Sequence, residues 1–213
     1  MFSFIFLLGR PGCGKSIIYN MLGELLRKEK LASEVMRIDD FPVLKEIVDE
    51  DKEFRRHLRK EGGFEVTDLS MLDDVLKRIN DQLKKLEKHG RVIFVEFSRD
   101  CYAHAMKNFD REVLDRSLIL YIYAPFDVCL ERNVRRFREK QKGLDDHIVP
   151  SDMMHKYYRN DDYEELFLKS KDELKKHASA KIIVIKNDVE SLEKLRLEIN
   201  QAFNKLRKSA WHL

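Results

Sequence analysis

Cysteine is scarce in this 213-residue chain: Cys13, Cys101 and Cys129 are the three that occur. Their spacing matches no metal-ligand pattern, and such usage points to a reducing compartment where thiols stay free, so a cytoplasmic location is expected. Long apolar runs are missing too. No uninterrupted apolar stretch approaches the ~20 residues of a membrane span, and no membrane partner is expected. The apolar run near the start lacks a basic flank and ends at a glycine-rich loop, so it reads as a strand and not as a signal peptide. Charge of one sign is not in excess either: 41 Lys+Arg against 38 Asp+Glu leave a net +3. That balance gives no case for a nucleic-acid-coating protein, although it allows local basic patches around phosphates. With no repeat, low-complexity tract or linker, residues 1–213 are expected to form a single α/β domain with a full core.

What the chain does contain is Gly9-Arg10-Pro11-Gly12-Cys13-Gly14-Lys15-Ser16, which fits the phosphate-binding pattern G-x-x-x-x-G-K-[ST]. The flanks fit as well. Phe4 to Leu8 form a short apolar run, as a buried parallel strand would. From Ile17 on, apolar residues fall at Ile18, Met21, Leu22, Leu25 and Leu26, the repeat of a helix with one buried face. The glycines let backbone N–H groups curl around a phosphate, and the helix N-terminus adds positive potential there. Lys15 is expected to reach the β- and γ-phosphates and the Ser16 hydroxyl to ligate Mg²⁺. The nucleotide-binding set is thus Gly9, Gly12, Cys13, Gly14, Lys15, Ser16 and Ile17, with ATP and Mg²⁺ as the expected cofactors. Cys13 serves as a small filler, though a helix N-terminus would lower its thiol pKa.

Further on, helical patterns alternate with short apolar runs, which implies a parallel sheet covered by helices on both faces. Strands are expected at 34–38, 92–95, 118–123 and 181–185. The charged stretch 43–60 reads as a helical excursion stopped by Gly62-Gly63. Leu69, Leu72, Leu76, Ile79, Leu83 and Leu86 mark an amphipathic helix, and a short helical region carries Tyr102 and Phe109. A helix from about Phe126 runs into an arginine cluster, 141–162 reads as a polar flap, and a last helix carries Val189, Leu192, Leu195 and Ile199 with Asn187 or Asp188 as its cap.

Ligands of a parallel α/β sheet bind beyond the carboxyl ends of the strands, which singles out the polar residues after each strand. Asp39 and Asp40 follow the second strand and are candidates for catalytic base and metal binding, with Asp39 the first choice. Glu96 ends the third strand, where an acid would contact Mg²⁺ directly or through water. Arg99 is placed to hold an acceptor phosphate or a reacting oxygen. On a helix Arg132 and Arg136 share a face; with Arg138 they would neutralise charge on a transferring phosphoryl group. No N-K-x-D guanine signature is present. A nucleotide-controlled switch or NTPase without a small-molecule acceptor stays open as an alternative.

These features together resemble the phosphate-loop kinases of the nucleoside and nucleotide kinase group. The spacing Arg132-x-x-x-Arg136-x-Arg138-Glu139, the run from Tyr121 to Glu131 and the Pro150…Tyr157-Tyr158 segment are similar to deoxynucleoside kinases. Glu96-Phe97-Ser98-Arg99 is loosely similar to that family's acid–arginine pair, and Asp39-Asp40 resembles polynucleotide kinases. The resemblance implies a three-layer P-loop NTPase fold with a five-stranded parallel sheet of order 2-3-1-4-5. It implies transfer of the γ-phosphoryl group of ATP to a nucleoside, nucleotide or other hydroxyl compound, with 5′-hydroxyl nucleic-acid kinase as an alternative. Residues 41–64 would then bind the acceptor, with Asp40, Arg99 and Arg55 as contacts, and 132–162 would form the lid. Asn187 and Asp188 stand where such kinases contact adenine. Nucleic acid is not expected as a partner, and a homodimer is left open.

Overall fold

The computed structural model describes residues 2–60, 63–139, 149–169, 180–188 and 190–210. Its centre is β1 (Phe4–Leu8), every residue of which is buried. Alternate side chains of a strand face opposite sides of a sheet. Phe4, Phe6 and Leu8 accordingly join one apolar core, while Ile5 and Leu7 join the other. Burial on both faces explains the uninterrupted apolar run.

Around β1 lie α1 (Lys15–Lys28), β2 (Glu34–Asp39), α2 (Asp40–Glu50), β3 (His57–Lys60), β4 (Gly63–Val66), α3 (Ser70–Leu86) and β5 (Arg91–Glu96). They are followed by the short helices α4 (Tyr102–Ala105) and α5 (Arg111–Leu114), then β6 (Ser117–Tyr123) and α6 (Phe126–Glu139). A short α7 (Ser151–Met153) continues into a wide π-helical turn over Met154–Tyr158, and a second π-helical stretch covers Glu164–Lys169. β7 (Lys181–Lys186) and α8 (Leu192–Ala210) complete the described elements.

The main sheet has five parallel strands in the order β2-β5-β1-β6-β7. Counted within that sheet alone, this is the 2-3-1-4-5 order. The two extra strands form a separate antiparallel hairpin, β3 with β4. Helices cover both faces: α2 and α3 bury Val43, Ile47, Met71, Leu76 and Leu83 on one side, while α1 and α8 bury Ile18, Leu22, Ile199 and Leu206 on the other.

Two expectations are corrected. The excursion 43–60 is not one helix, because α2 stops at Glu50 and the chain turns into the hairpin. Asp51 makes the turn: its carboxylate accepts from the amides of Arg55 (3.2 Å) and Arg56 (2.9 Å) and pairs with His57 Nδ1 at 3.0 Å. A four-residue strand inside a charged stretch is too short to override an apparent helical repeat. The last helix is capped by neither Asn187 nor Asp188; Ser191 Oγ accepts from the Lys194 amide at 3.2 Å. Val189, Gly62 and 140–148 of the proposed lid lie outside the described residues. No helix among the described residues is long and apolar enough to cross a membrane.

Phe6 is fully buried, with its ring edge-on to Phe109 at 4.8 Å and to Phe97 at 6.2 Å. Phe6→Ala is expected to destabilise the protein by about 3–5 kcal/mol, read as a lowered urea midpoint.

Candidate active site

The phosphate loop is held by close backbone packing. Gly12 has φ 82°, and a Cβ there would lie 2.4 Å from the Cys129 carbonyl oxygen at the start of α6. Gly14 has φ 101°, and a Cβ there would meet Asn187 Nδ2 at 2.5 Å. That same Asn187 amide donates to the Cys13 carbonyl at 2.8 Å, so the end of β7 braces the loop. Lys15 is buried. Its ammonium donates to Gly9 O (3.0 Å), Arg10 O (3.1 Å) and Ser98 Oγ (2.8 Å). Burial works against the Lys15 cation, but Cys13, Glu96 and Asp40 outweigh it and hold the pKa above its ordinary value. Burial likewise pushes the Cys13 thiol up. It overrides the helix N-terminus, and the thiol is a filler.

The acids stand at the carboxyl ends of neighbouring strands. Asp39 of β2 lies directly opposite Glu96 of β5 in the parallel register. Arg37, two residues earlier on β2, stands 3.4 Å from Glu96 and 4.0 Å from Asp39. Asp39 also caps α2, accepting from the Phe41 amide at 2.9 Å. Burial raises the Asp39 pKa and the neighbouring Asp40 adds to the rise; the Phe41 amide, Arg37 and Lys15 only partly offset it. Asp40 is bound to Arg99 at 2.6 Å, and the same guanidinium donates to Ser98 O at 2.7 Å.

Two adjoining cavities follow from this arrangement. The smaller, about 140 Å³, is lined by Gly12, Gly14, Lys15, Ser16, Asp39, Asp40, Glu96, Ser98 and Arg136. The larger, about 890 Å³, is bounded by the hairpin, the start of α3, α4 and α7, with Phe41, Phe64, Val66, Leu69 and Met153 among its apolar walls. Its size suits a small-molecule ligand. Phe41, Leu44, Leu72, Arg99, Val149 and Tyr158 line both spaces, so the two lie side by side.

Most of the residues singled out in the sequence converge here, and some do not. Of the arginine cluster, Arg136 reaches the smaller cavity. Arg132 donates to the Asn187 carbonyl at 2.9 Å and Arg138 is exposed. Ile17 is turned outward, 47% exposed, so only its backbone is available to a phosphate. Arg55 does not enter either cavity: it is 74% exposed and paired with Glu53. Its neighbours are spoken for as well, Arg56 by Asp74 at 2.6 Å and Arg59 by the Phe54 ring at 4.7 Å.

The structure adds residues to which no role had been given. Ser98 bridges Lys15 and the Gly9 carbonyl, at 2.8 and 2.9 Å; its place two residues past a strand end was the available signal. Arg10 is buried, donating from Nε to Tyr158 O (2.8 Å), from Nη1 to Ala124 O (3.1 Å) and from Nη2 to Asp161 (2.9 Å). It thereby fixes the segment that carries Tyr158, the wall common to both cavities. Nothing in the sequence signals a pairing across 151 residues.

No protein-family profile matches the chain. Among curated proteins, the dephospho-CoA kinase of Aquifex aeolicus (strain VF5) is 30% identical over 150 residues, covering 61% of this chain and 71% of that protein. The chain belongs to the P-loop kinases. It falls in their nucleoside and nucleotide kinase group. Solved structures agree at the level of fold. Chaetomium thermophilum Kti12, in complex with ADP-AlF3, superposes with TM-score 0.56 at 13% identity, over 94% of this chain and 97% of that one. A sugar kinase from Janibacter sp. HTCC2649 gives 0.54 at 12% identity, over 98% and 96%.

In this kinase the oxygen donors fit a magnesium ion. No cluster of three or more His, Cys, Asp or Glu able to cage a metal exists among the described residues. Mg²⁺ needs no such cage, since it keeps several waters and uses one or two carboxylates beside substrate phosphates. Ser16, Glu96 and Asp39 line the same small cavity and would supply that partial shell.

Two outcomes follow for the kinase. The Asp161 side chain is 2% exposed, so Asp161→Ala leaves Arg10 buried without its anion. A loss of about 3–5 kcal/mol is expected in urea unfolding. For Asp39 the folded state binds the proton more tightly than the unfolded chain. Stability therefore falls as pH rises from the ordinary value of 3.8 through the raised folded value. Asp39→Asn keeps a good helix cap and removes that fall. Its urea midpoint should exceed wild type at pH 7, and the difference should vanish near pH 3.

Proposed function

We propose that this kinase transfers the γ-phosphoryl group of ATP to a hydroxyl of a small molecule held in the larger cavity. The observation that carries this reading is the wall the two cavities share: Lys15, Ser16, Asp39 and Glu96 line the smaller space, and Phe41, Leu44, Leu72, Arg99, Val149 and Tyr158 line both it and the chamber of about 890 Å³ beside it. A donor phosphate and an acceptor hydroxyl entering from the two sides would meet beside Asp39.

Each residue has a role in that reaction. The loop amides and Lys15 bind the β- and γ-phosphates; on doing so the Lys15 ammonium exchanges the Gly9, Arg10 and Ser98 oxygens for phosphate oxygens. Ser16 and Glu96 hold Mg²⁺, which, when bound, neutralises charge on the phosphates. Asp39 accepts the acceptor's hydroxyl proton. Its raised pKa makes it a stronger base than an ordinary carboxylate, and Asp40, tied to Arg99, is the less available of the pair. Arg136, which reaches the smaller cavity, stabilises charge on the transferring group. Arg132 ties α6 to the end of β7 through the Asn187 carbonyl, and Arg138 is exposed.

The test is ADP release from ATP and Mg²⁺ across a panel of nucleosides, nucleotides, sugars and dephospho-CoA, the last chosen because the Aquifex relative carries that name. Acceptor-dependent ADP release is expected, reduced about 10²–10³-fold in Lys15→Ala. An undiminished rate in that variant would refute the assignment.

A further inference from the structure

The larger cavity carries a charge pattern that bears on what it accepts. Sites for phosphorylated ligands supply Arg or Lys side chains, or the free amides of a helix N-terminus. Among the described residues that line this cavity, Arg99 is the one Arg or Lys. Its Nη1 is taken by Asp40 at 2.6 Å and Ser98 O at 2.7 Å and its Nη2 by Leu72 O at 3.4 Å, while its Nε is buried without a partner among the described residues. His104 is the one imidazole, and its Nε2 is bound to the Asp73 carboxylate at 2.9 Å. The N-terminus of α3 also borders the space, but the chain's own groups occupy it. The Ser70 amide donates to Asp68 Oδ1 at 2.9 Å, the Met71 amide to Asp68 O at 3.1 Å and the Leu72 amide to Leu69 O at 2.9 Å.

The same wall carries four carboxylates, Glu65, Asp73, Asp100 and Asp152; Asp73 also accepts from Asn108 Nδ2 at 2.9 Å, and Asp100 accepts from the Cys101 amide at 2.8 Å. Lys156, a further cation nearby, lies over the Tyr157 ring at 4.9 Å and is not part of the lining. The rest of the wall is apolar or aromatic. A phosphomonoester, doubly charged near neutral pH, would have to enter an acid-rimmed space whose one arginine already pairs with Asp40.

Resting on the phosphotransfer reading above, we infer that the acceptor bears no phosphate or other anionic group: it is a neutral or cationic hydroxyl compound with an apolar or aromatic body. The acids of the rim select by charge, as repulsive elements commonly do in specificity. The arginines at 55, 56 and 59 do not alter this, since all three are engaged outside the cavity.

The experiment is a paired acceptor panel followed by ADP release, with kcat/KM measured for each member. The sets are adenosine with 3′-AMP and 5′-AMP, cytidine with 3′-CMP and 5′-CMP, and thymidine with its 3′- and 5′-monophosphates, so that one phosphorylated member of each set keeps whichever hydroxyl is the acceptor, with pantetheine and dephospho-CoA added. In the most active set the unphosphorylated member is expected to lead by at least about 100-fold. A lead for a phosphorylated member, or for dephospho-CoA over all others, overturns the inference while leaving phosphotransfer intact. No ADP release with any member, from protein that still binds ATP, overturns the phosphotransfer reading and the inference with it. Asp152→Lys gives a second readout, because Asp152 is exposed on the rim and touches none of the phosphate-loop groups. The substitution should raise the ratio of kcat/KM for the phosphorylated member to that for the unphosphorylated one about tenfold. An unchanged ratio would show that rim charge does not select the acceptor.

Discussion

Lys15 is a cation held away from water, and its ammonium is surrounded by Gly9 O, Arg10 O and Ser98 Oγ at 2.8 to 3.1 Å. Burying a charge is costly unless it is paired or fully hydrogen-bonded. That requirement ties together parts of the chain far apart in sequence. The loop must curl so that two of its own carbonyls face inward, and β5 must end where Ser98 can close the ring. Glu96 and Asp40 then stabilise the charge from nearby. In the phosphotransfer reading proposed above, phosphate oxygens would take the place of the neutral Gly9, Arg10 and Ser98 oxygens.

A second buried cation does the opposite. Arg10 is fixed by two carbonyls and a nearly inaccessible carboxylate. Burial pushes the Asp161 carboxyl up and Arg10 only partly pulls it back; Tyr121 adds a hydrogen bond at 3.0 Å. The ring of Tyr163 stacks on Tyr121 and Tyr123 at 4.7 and 4.4 Å, anchoring the same segment. One phosphate loop thus carries a lysine ringed by neutral oxygens and an arginine locked into structure. The locked residue positions Tyr158, which lines both cavities.

Much of this was legible before any coordinates. The loop and its flanking strand and helix are local, and each is signalled within a window of some twenty residues. Rules for parallel sheets then directed attention to Asp39, Asp40, Glu96 and Arg99, all of which line the smaller cavity. The β3–β4 hairpin was hidden, because four-residue strands have no periodicity to display and Asp51, not a glycine, makes the turn that leads from α2 into it. Arg55 lies in the turn that Asp51 makes, and its side chain extends into solvent beside Glu53.

The sequence by itself determined the phosphate loop, the parallel α/β architecture and the acids at the strand ends, because these depend on short-range pattern and on the fixed polarity of strands. Only the tertiary structure decided how the charges are committed. Whether Arg99 can meet a phosphate, whether Arg10 is free, and whether the acceptor chamber is cationic or acidic all depend on partners brought within about 3 Å by folding. An arginine reads the same in sequence whether its guanidinium is open to a ligand or already bound to a carboxylate. That distinction is one of distance, and distance exists only once the chain has packed.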